Sequence, residues 1–377
     1  IHLELTVLPS LRDVYEVIQS SGSGRYDLIR MDVAWMDELA KKLFRPLHQI
    51  PFDWDRLLAQ TLPEFGDSYT SVNGERICVP YDPSTQLMFY RRDLFCDPTY
   101  KRMYFEAYRR ELEVPKSFED YNRIAGFFTR SLNPASPVQY GTTVAIGNVV
   151  VSPSEFLPRL FEQGGKLFNA KGQITVDTPE ALAALKNYRE TYACSDRTVH
   201  DIWKNVLEGF ADGSAAMTVV FINYASHILN SKMSSIAGKL GFAPVPGGKP
   251  LSGGGVVGIT RSCAHPETAC AFLSWLYSNQ TAPAFTLLGG LSPCRSAYSN
   301  RDIKERYPWL SAARRSFPSA QRRSGSAYYS NFSELQMENI LAAYVQRAVL
   351  GVCTPEEALA QAQAEMDAHF TANSEFL

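Results

Sequence analysis

The order of predicted strands and helices is the feature that most constrains this chain. Alternating strand and helix patterns occur near both ends of the first 280 residues, at Ile1–Val7, Leu11–Ser20, Tyr26–Met31, Gly255–Thr260 and Pro266–Ser278. The opening strand–helix–strand pattern predicts a parallel β-α-β unit, and residues 97–190 between the two regions are mostly helical. Because 377 residues exceed what one hydrophobic core usually covers, the order predicts an α/β protein with two lobes.

Composition narrows the classes of function. Lys and Arg number 37 against 39 Asp and Glu, giving a net charge of −2 without long runs of either sign. A nucleic-acid binder would carry a basic patch, so we expect no nucleic-acid partner and a small, nearly neutral ligand. Apolar runs such as Ala215–Ile222 are far shorter than the roughly 20 residues of a membrane-spanning helix.

Local signals place several further elements. Short strands are predicted at Arg76–Pro80 and Leu87–Tyr90 on either side of residues 81–86, and also at Ala215–Val220 and Gly241–Val245. Helices are predicted at Met36–Lys42, Asp201–Ala211, Phe332–Leu350 and Pro355–Phe370, with N-terminal signals at Ser117, Thr178 and Thr354.

The usual signatures of catalysis are missing from the sequence. No G-x-S-x-G, P-loop, H-E-x-x-H or C-x-x-C motif occurs. Residues 253–258 fit G-x-G-x-x-G, but a dinucleotide site needs a strand before the glycines and a helix after them, whereas a strand follows here. We therefore expect no enzyme activity, no metal and no cofactor. A glycoside-processing enzyme stays open as an alternative, because sequence cannot show whether two carboxylates face each other.

Aromatic and amide side chains collect where strands are predicted to end. These residues are Trp35, Tyr81, Gln86, Phe221, Asn223, Tyr224, Tyr328, Tyr329 and Asn331. A sugar packs its C–H faces on flat rings, while its hydroxyls need donors and acceptors of the kind that amides and carboxylates supply. The pattern favours a carbohydrate ligand, although any one of these aromatic residues could simply be packing.

Several stretches together resemble one family. They are residues 26–32, 79–95, 164–168 (Gly-Gly-Lys-Leu-Phe), 177–181 (Asp-Thr-Pro-Glu-Ala), 210–217, 253–255 and 354–359. In order and spacing they are similar to the extracellular solute-binding proteins of carbohydrate ABC transporters, the maltose-binding-protein-like group. The tryptophan that maltose binders carry in the last long helix region has no counterpart around Glu338, so maltodextrin specificity is not implied.

The resemblance implies a periplasmic-binding-protein-like (type II) α/β fold with two interleaved lobes and a hinge. Lobe one would comprise residues 1–82 and 255–295, and the helix-rich lobe two residues 83–254 and 296–377. The chain would cross between lobes near Tyr81–Pro83, Leu251–Gly255 and Cys294–Tyr298. Compared with the family pattern, the first strand and helix would be absent before Ile1.

The resemblance also implies a function. The chain would be a monomeric, non-catalytic receptor that captures a sugar between its lobes by hinge closure and delivers it to an ABC transporter permease. The ligand contacts carried over are Asp32, Trp35, Ser84, Thr85, Gln86, Phe221, Asn223, Tyr224, Gly254, Gly255, Tyr328 and Asn331. Among them we expect stacking from Trp35 and Tyr224, and hydrogen bonds from Asp32, Gln86 and Asn223.

Localisation has two alternatives. The resemblance implies an extracytoplasmic protein, anchored by a lipid at the cell surface. Seven cysteines without framework or metal spacing suit a reducing compartment instead. They leave open a cytoplasmic ligand-sensing domain of a transcriptional regulator, whose DNA-binding module would lie upstream of Ile1.

Overall fold

The computed structural model describes residues 2–8, 11–21, 24–146, 151–199, 203–230, 232–321 and 328–373. Residues 2–8 form no helix or strand, and the side chains of Leu3, Leu5 and Val7 are exposed. The strand predicted for Ile1–Val7 is therefore wrong over residues 2–7, while Ile1 lies outside the described residues. Apolar alternation produces a strand only where a neighbour completes the ladder, and no described strand pairs with this segment.

The strands form one six-stranded sheet and one small hairpin within the described residues. In chain order they are β1 (Leu28–Asp32), β2 (Ser71–Val72), β3 (Glu75–Arg76), β4 (Val79–Arg91), β5 (Tyr140–Thr142), β6 (Ala215–Phe221), β7 (Leu240–Ala243) and β8 (Ser252–Ile259). The sheet has the order β1-β8-β4-β6-β5, with β7 also pairing with β4, and β2 pairs with β3. Residues from distant parts of the sequence therefore meet on one sheet.

Strand β1 takes its partner from far along the chain. It runs antiparallel to β8, with Leu28 opposite Ile259 and Asp32 opposite Gly255. The predicted parallel β-α-β opening is wrong in the described residues, because no described strand precedes the first helix and β1 pairs in the opposite direction. Local pattern identified the strand but could not identify its partner.

Strand β4 runs through both halves of the larger sheet. Its residues 79–85 pair with β8, and residues 86–91 pair with β6 and β7. The two short strands predicted on either side of residues 81–86 are in fact one strand. A register shift between Pro80 and Asp82 absorbs the irregularity, as β-bulges do, so the prolines do not end the strand.

Helices surround the sheet. They are α1 (Leu11–Ser21), α2 (Lys41–Leu43), α3 (Trp54–Leu58), α4 (Asp67–Thr70), α5 (Arg92–Cys96), α6 (Pro98–Tyr108), α7 (Phe118–Phe127), α8 (Val151–Glu162), α9 (Pro179–Ala193), α10 (Trp203–Ala211), α11 (Ala225–Leu229), α12 (Pro266–Tyr277), α13 (Thr281–Leu287), α14 (Arg295–Ser299), α15 (Arg301–Arg306), α16 (Pro308–Ser316), α17 (Glu334–Val349) and α18 (Pro355–His369). Short 3-10 and π turns link several of them. Asp201 and Ile202, predicted to begin α10, lie outside the described residues.

Three predicted helix starts are confirmed by their hydrogen bonds. The hydroxyls of Ser117, Thr178 and Thr354 each accept a backbone N–H three residues ahead, at 3.1, 3.2 and 3.2 Å. Glu357 also accepts from the Thr354 N–H at 2.9 Å, which completes a capping box at α18.

A buried ion pair organises the helix-rich region. Arg159 and Glu155, one turn apart on α8, are joined at 2.8 Å, and their side chains are 2% and 4% exposed. The guanidinium lies 4.1 Å from the ring centroid of Phe118 and 5.2 Å from that of Tyr188. Buried charges persist only when they are paired and hydrogen-bonded, so this arrangement fixes α8 against its neighbours.

All seven cysteines are free thiols, and five of them are buried. Burial raises the pKa of Cys270 and of Cys294 to about 11, with the nearby Cys263 adding to the effect on Cys270. Because the thiolate is the reactive form, these buried thiols are poorly reactive. Oxidation would therefore threaten the exposed Cys96 more than the five buried thiols.

Candidate functional site

The turn after β1 carries two of the predicted ligand contacts. The Asp32 carboxylate accepts the Ala34 N–H at 3.0 Å and so caps the 3-10 turn Val33–Trp35. The Trp35 ring is only 5% exposed and packs edge-on against Tyr15, with 5.3 Å between ring centroids. In this conformation Trp35 is a core residue, and its role as a stacking platform stays a prediction.

The turn after β6 presents its side chains differently. Phe221 is buried, and the following 3-10 turn Ile222–Tyr224 carries an exposed Asn223 and a half-buried Tyr224. The Asn223 Oδ1 accepts a hydrogen bond from the Ser84 hydroxyl at 3.1 Å. Burial raises the pKa of Tyr224, and the nearby Asp32 carboxylate raises it further. Strand pairing places the two turns along the same stretch of β4: Asp32 lies opposite Gly255, which lies opposite Asp82, and Phe221 lies opposite Gln86.

Ser84, Thr85 and Gln86 lie on β4 where its pairing passes from β8 to β6 and β7. All three are buried; the Ser84 side chain bonds to Asn223, and the Gln86 backbone lies opposite Phe221 in the β4–β6 ladder. The Thr85 hydroxyl donates to Leu251 O at 3.3 Å. The Gln86 amide donates to Ser154 O at 2.8 Å and accepts from Leu251 N at 3.0 Å. Gln86 is thus held by backbone groups on both sides.

The predicted glycines lie in β8 and allow it to approach β4. Gly254 has φ +90°, and a Cβ there would lie 2.1 Å from Asp82 O. A Cβ on Gly255 would lie 2.3 Å from the Arg30 Nε and 2.5 Å from the Asp82 Oδ1. Side chains are therefore excluded at both positions. Their placement inside a strand also agrees with rejecting a dinucleotide site.

Sequence reasoning missed an ion pair beside these glycines. The Arg30 guanidinium donates to both carboxylate oxygens of Asp82, at 3.0 and 2.8 Å, with the two side chains 28% and 24% exposed. Bidentate pairs of this kind fix orientation as well as charge. Arg30 lies at an alternating position of a short strand, so no local signal distinguished it.

Tyr328 and Asn331 are held near the carboxyl end of α18. The Tyr328 hydroxyl accepts from the Gln173 amide at 2.9 Å. The Asn331 amide donates to His369 O at 2.9 Å and accepts from Thr371 N at 2.8 Å. Asn331 therefore has a structural role here, and a ligand role for either residue stays a prediction.

Glu38 was also missed, although it links two distant regions. Its carboxylate accepts from the Tyr15 hydroxyl at 2.9 Å and the Gln19 amide at 3.1 Å. The Ser333 hydroxyl, at the N-cap of α17, donates to the other oxygen at 3.1 Å. The contact joins the first 40 residues to the C-terminal helices.

A small cavity of about 10 Å³ lies beside Asn223. It is lined by Ile222, Asn223, Ser226, Thr286, Gly289, Gly290, Tyr307 and Trp309. The Tyr307 hydroxyl closes one side by donating to Leu287 O at 3.1 Å.

Within the ranges described above, no group of three or more His, Cys, Asp or Glu side chains is arranged to hold a metal ion. None of the helices in the same ranges is long and apolar enough to cross a membrane.

Curated relatives match parts of the chain. A putative ABC transporter periplasmic-binding protein, YcjN of Escherichia coli (strain K12), is 30% identical over 118 residues, which is 31% of this chain and 25% of that protein. A probable amino-acid ABC transporter periplasmic-binding protein, y4oP of Sinorhizobium fredii, is 22% identical over 61% of this chain and 52% of its own length. The matches thus span a quarter and about half of these two relatives.

Solved structures establish the fold. Maltose-bound MalE3 of T. maritima superposes with a TM-score of 0.77 at 24% identity, covering 95% of this chain and 88% of that one. A ribitol-bound solute-binding protein of Agrobacterium radiobacter K84 superposes with a TM-score of 0.78 at 21% identity and covers the same shares of the two chains. The GacH receptor of Streptomyces glaucescens, solved with acarbose, gives 0.75 at 21% and covers 97% and 90%. The expected two-lobed type II periplasmic-binding-protein fold is confirmed.

The family model described as "Bacterial extracellular solute-binding protein" matches residues 14–311, most of the chain. Proteins of this family are extracytoplasmic binding proteins and not enzymes, which agrees with the sequence prediction. This chain belongs to the bacterial extracellular solute-binding proteins.

Proposed function

We propose that this chain is the receptor of an ABC transporter for a sugar or sugar alcohol. The observation that carries the proposal is that the turns after β1 and β6 both lie along residues 82–86 of β4, with Asp32 opposite Gly255, Phe221 opposite Gln86 and Asn223 bonded to Ser84 at 3.1 Å. A carboxylate, a phenol and an amide on these two turns suit a polyhydroxylated ligand. The bound maltose, ribitol and acarbose of the structural neighbours support this class.

The proposal includes the division into lobes, residues 1–82 with 255–295 and residues 83–254 with 296–377. The pairing of β4 supports it, because residues 79–85 join β8 and residues 86–91 join β6 and β7. A strand shared by two sheet halves can bend between them, as hinges at element ends do.

Three contacts would then hold the lobes closed. Ser333 bonds to Glu38 at 3.1 Å, Tyr307 bonds to Leu287 O at 3.1 Å, and Arg314 pairs with Glu64 at 2.7 Å. Each joins a residue of proposed lobe one to a residue of proposed lobe two. We infer that ligand capture stabilises this closed arrangement, and that the closed receptor delivers its solute to the permease.

Calorimetry over a panel of sugars, sugar alcohols and amino acids tests the ligand class. We expect binding of at least one sugar or sugar alcohol, with loss of affinity in Asn223→Ala. Because one curated relative is named for amino acids, the panel must include them. Binding of an amino acid alone would overturn the proposed class while leaving the receptor role intact.

Location and assembly belong to the same proposal. We propose a monomer, attached to the cell surface through a lipid and without direct nucleic-acid contact. Light scattering of the ligand-saturated protein should give the mass of one chain. Metabolic labelling of the full-length protein with a radioactive fatty acid tests the anchor, and an unlabelled protein would rule the anchor out.

A further inference from the structure

Trp309 lines the cavity beside Asn223 and carries a buried hydrogen-bond donor. It is the second residue of α16, and its side chain is only 5% exposed. In the described part of the chain its indole Nε1 is buried and has no hydrogen-bond partner. Leaving a buried donor unpaired costs about 1–3 kcal/mol, and native structures contain few such groups. The indole N–H therefore calls for an acceptor that the folded chain does not supply.

Both polar and apolar groups line the cavity, and they come from separate parts of the chain. Asn223 and Ser226 come from the segment after β6, and Thr286 comes from α13. Its volume of about 10 Å³ is close to the minimum for one water molecule and too small for a sugar. In the closed arrangement the cavity could hold one ligand hydroxyl at most, and a ligand could enter only while the walls are apart.

The proposed lobes divide these walls. Thr286, Gly289 and Gly290 belong to lobe one, whereas Asn223 and Trp309 belong to lobe two. Gly289 has φ +101°, and a Cβ built on it would meet no atom within 4 Å, so there is open space beside this wall. Parting the lobes would therefore widen the cavity.

We propose that the Trp309 indole N–H donates a hydrogen bond to a ligand oxygen and helps determine specificity. The inference rests on the proposed function, whose site it extends. An indole N–H is a donor only, so the ligand atom must be an acceptor, such as a hydroxyl or ring oxygen. Ser226, Thr286 and Asn223 can satisfy further hydroxyls around it. The subsite selects ligands with an oxygen at this position over analogues that lack it.

The test compares Trp309→Phe with Trp275→Phe, a matched variant on α12 whose ring is 57% exposed and does not line the cavity. Calorimetry uses the tightest ligand of the panel and its series of deoxy analogues. Trp309→Phe should bind the parent ligand about five- to tenfold more weakly, the range expected for one lost hydrogen bond. Trp275→Phe should stay within twofold of the wild type.

The deoxy series separates a hydrogen bond from a packing effect. One deoxy analogue should bind the wild type about as weakly as the parent ligand binds Trp309→Phe. The same analogue should bind Trp309→Phe no more weakly than the parent ligand does. Loss of packing alone would weaken every analogue equally. Wild-type affinity in Trp309→Phe, or an equal loss for all analogues, would overturn the inference while leaving the sugar receptor intact. If no sugar or sugar alcohol binds the wild type, the proposed function fails first.

Stability checks the variant. The ligand-free Trp309→Phe protein should stay folded and unfold close to the wild-type temperature, because the loss of buried indole volume offsets the gain from removing an unpaired donor. If the variant does not fold, the NMR spectrum of wild-type protein labelled with ¹⁵N-tryptophan is measured with and without ligand instead. Its five indole signals, assigned with the other four Trp→Phe variants by elimination, should include a Trp309 signal that moves downfield with ligand. An unmoved Trp309 signal would overturn the inference.

Discussion

The turns after β1 and β6 have nearly the same backbone and opposite side-chain exposure. Asp32 (φ −66°, ψ 143°) and Phe221 (φ −67°, ψ 142°) each lead into a single 3-10 turn. Asp32 caps its own turn, and Trp35 is buried. Phe221 makes no side-chain cap, and Asn223 extends to Ser84. The same backbone turn thus buries its last side chain after β1 and leaves its side chains accessible after β6.

The sharpest way to break this comparison is Trp35→Ala. If the ring is core, the variant should lose about 3–5 kcal/mol of unfolding free energy, the usual cost of removing a buried large aromatic side chain. Urea denaturation measures the loss. Trp275→Ala, at a ring 57% exposed, is the matched control and should change stability little. A Trp35→Ala protein of wild-type stability that no longer binds ligand would make Trp35 a stacking platform after all.

Substitution of Tyr224 tests whether the turn after β6 contacts the ligand. Tyr224→Ala should weaken ligand binding about tenfold, or about 1.4 kcal/mol, because a half-buried ring near Asp32 offers a face for the ligand. Tyr224→Phe separates the ring from the hydroxyl and should retain most of the affinity. Unchanged calorimetric affinity in Tyr224→Ala would mean that both turns are structural.

Asn223 and Asn331 form a matched pair of amides. Asn223→Ala should weaken binding about three- to tenfold, since one hydrogen bond contributes about 0.5–1.5 kcal/mol. Ser84→Ala should have a smaller effect, because it removes only the donor that orients Asn223. Asn331→Ala removes an amide already bonded to residues 369 and 371 and should leave affinity unchanged. An equal loss in Asn331→Ala would support the predicted ligand contact at that residue.

Asp32→Ala should affect folding less than Trp35→Ala does. Asp32→Ala removes a cap and should lower the unfolding free energy by about 1 kcal/mol. Asp32→Asn keeps an acceptor and should keep most of that stability. If the asparagine variant is stable yet binds ligand poorly, the charge of Asp32 acts on the ligand; if it binds normally, Asp32 serves only as a cap.

Sequence reasoning succeeded where the signal was local. The caps at Thr178 and Thr354 depend on residues within one turn, and the strands at 28–32 and 215–221 depend on short apolar runs. It failed where partners were distant. The apolar alternation over residues 1–7 predicted a strand, but no described strand pairs with residues 2–7. The direction of β1 depends on residues 255–259 of β8, which lie far along the sequence. Trp35 and Tyr224 hold equivalent turn positions, so only tertiary packing could reveal which ring is buried.

Strand β4 also determines the order in which the molecule can fold. Its partner β8 begins at residue 252, and β1 also pairs with β8. A growing chain therefore cannot complete the β1–β8–β4 ladders until most of its residues have been synthesised. Contacts of such long sequence separation slow folding, because the entropy of loop closure is lost before the pairing is gained. The strand that would let the lobes part also makes them fold as one unit.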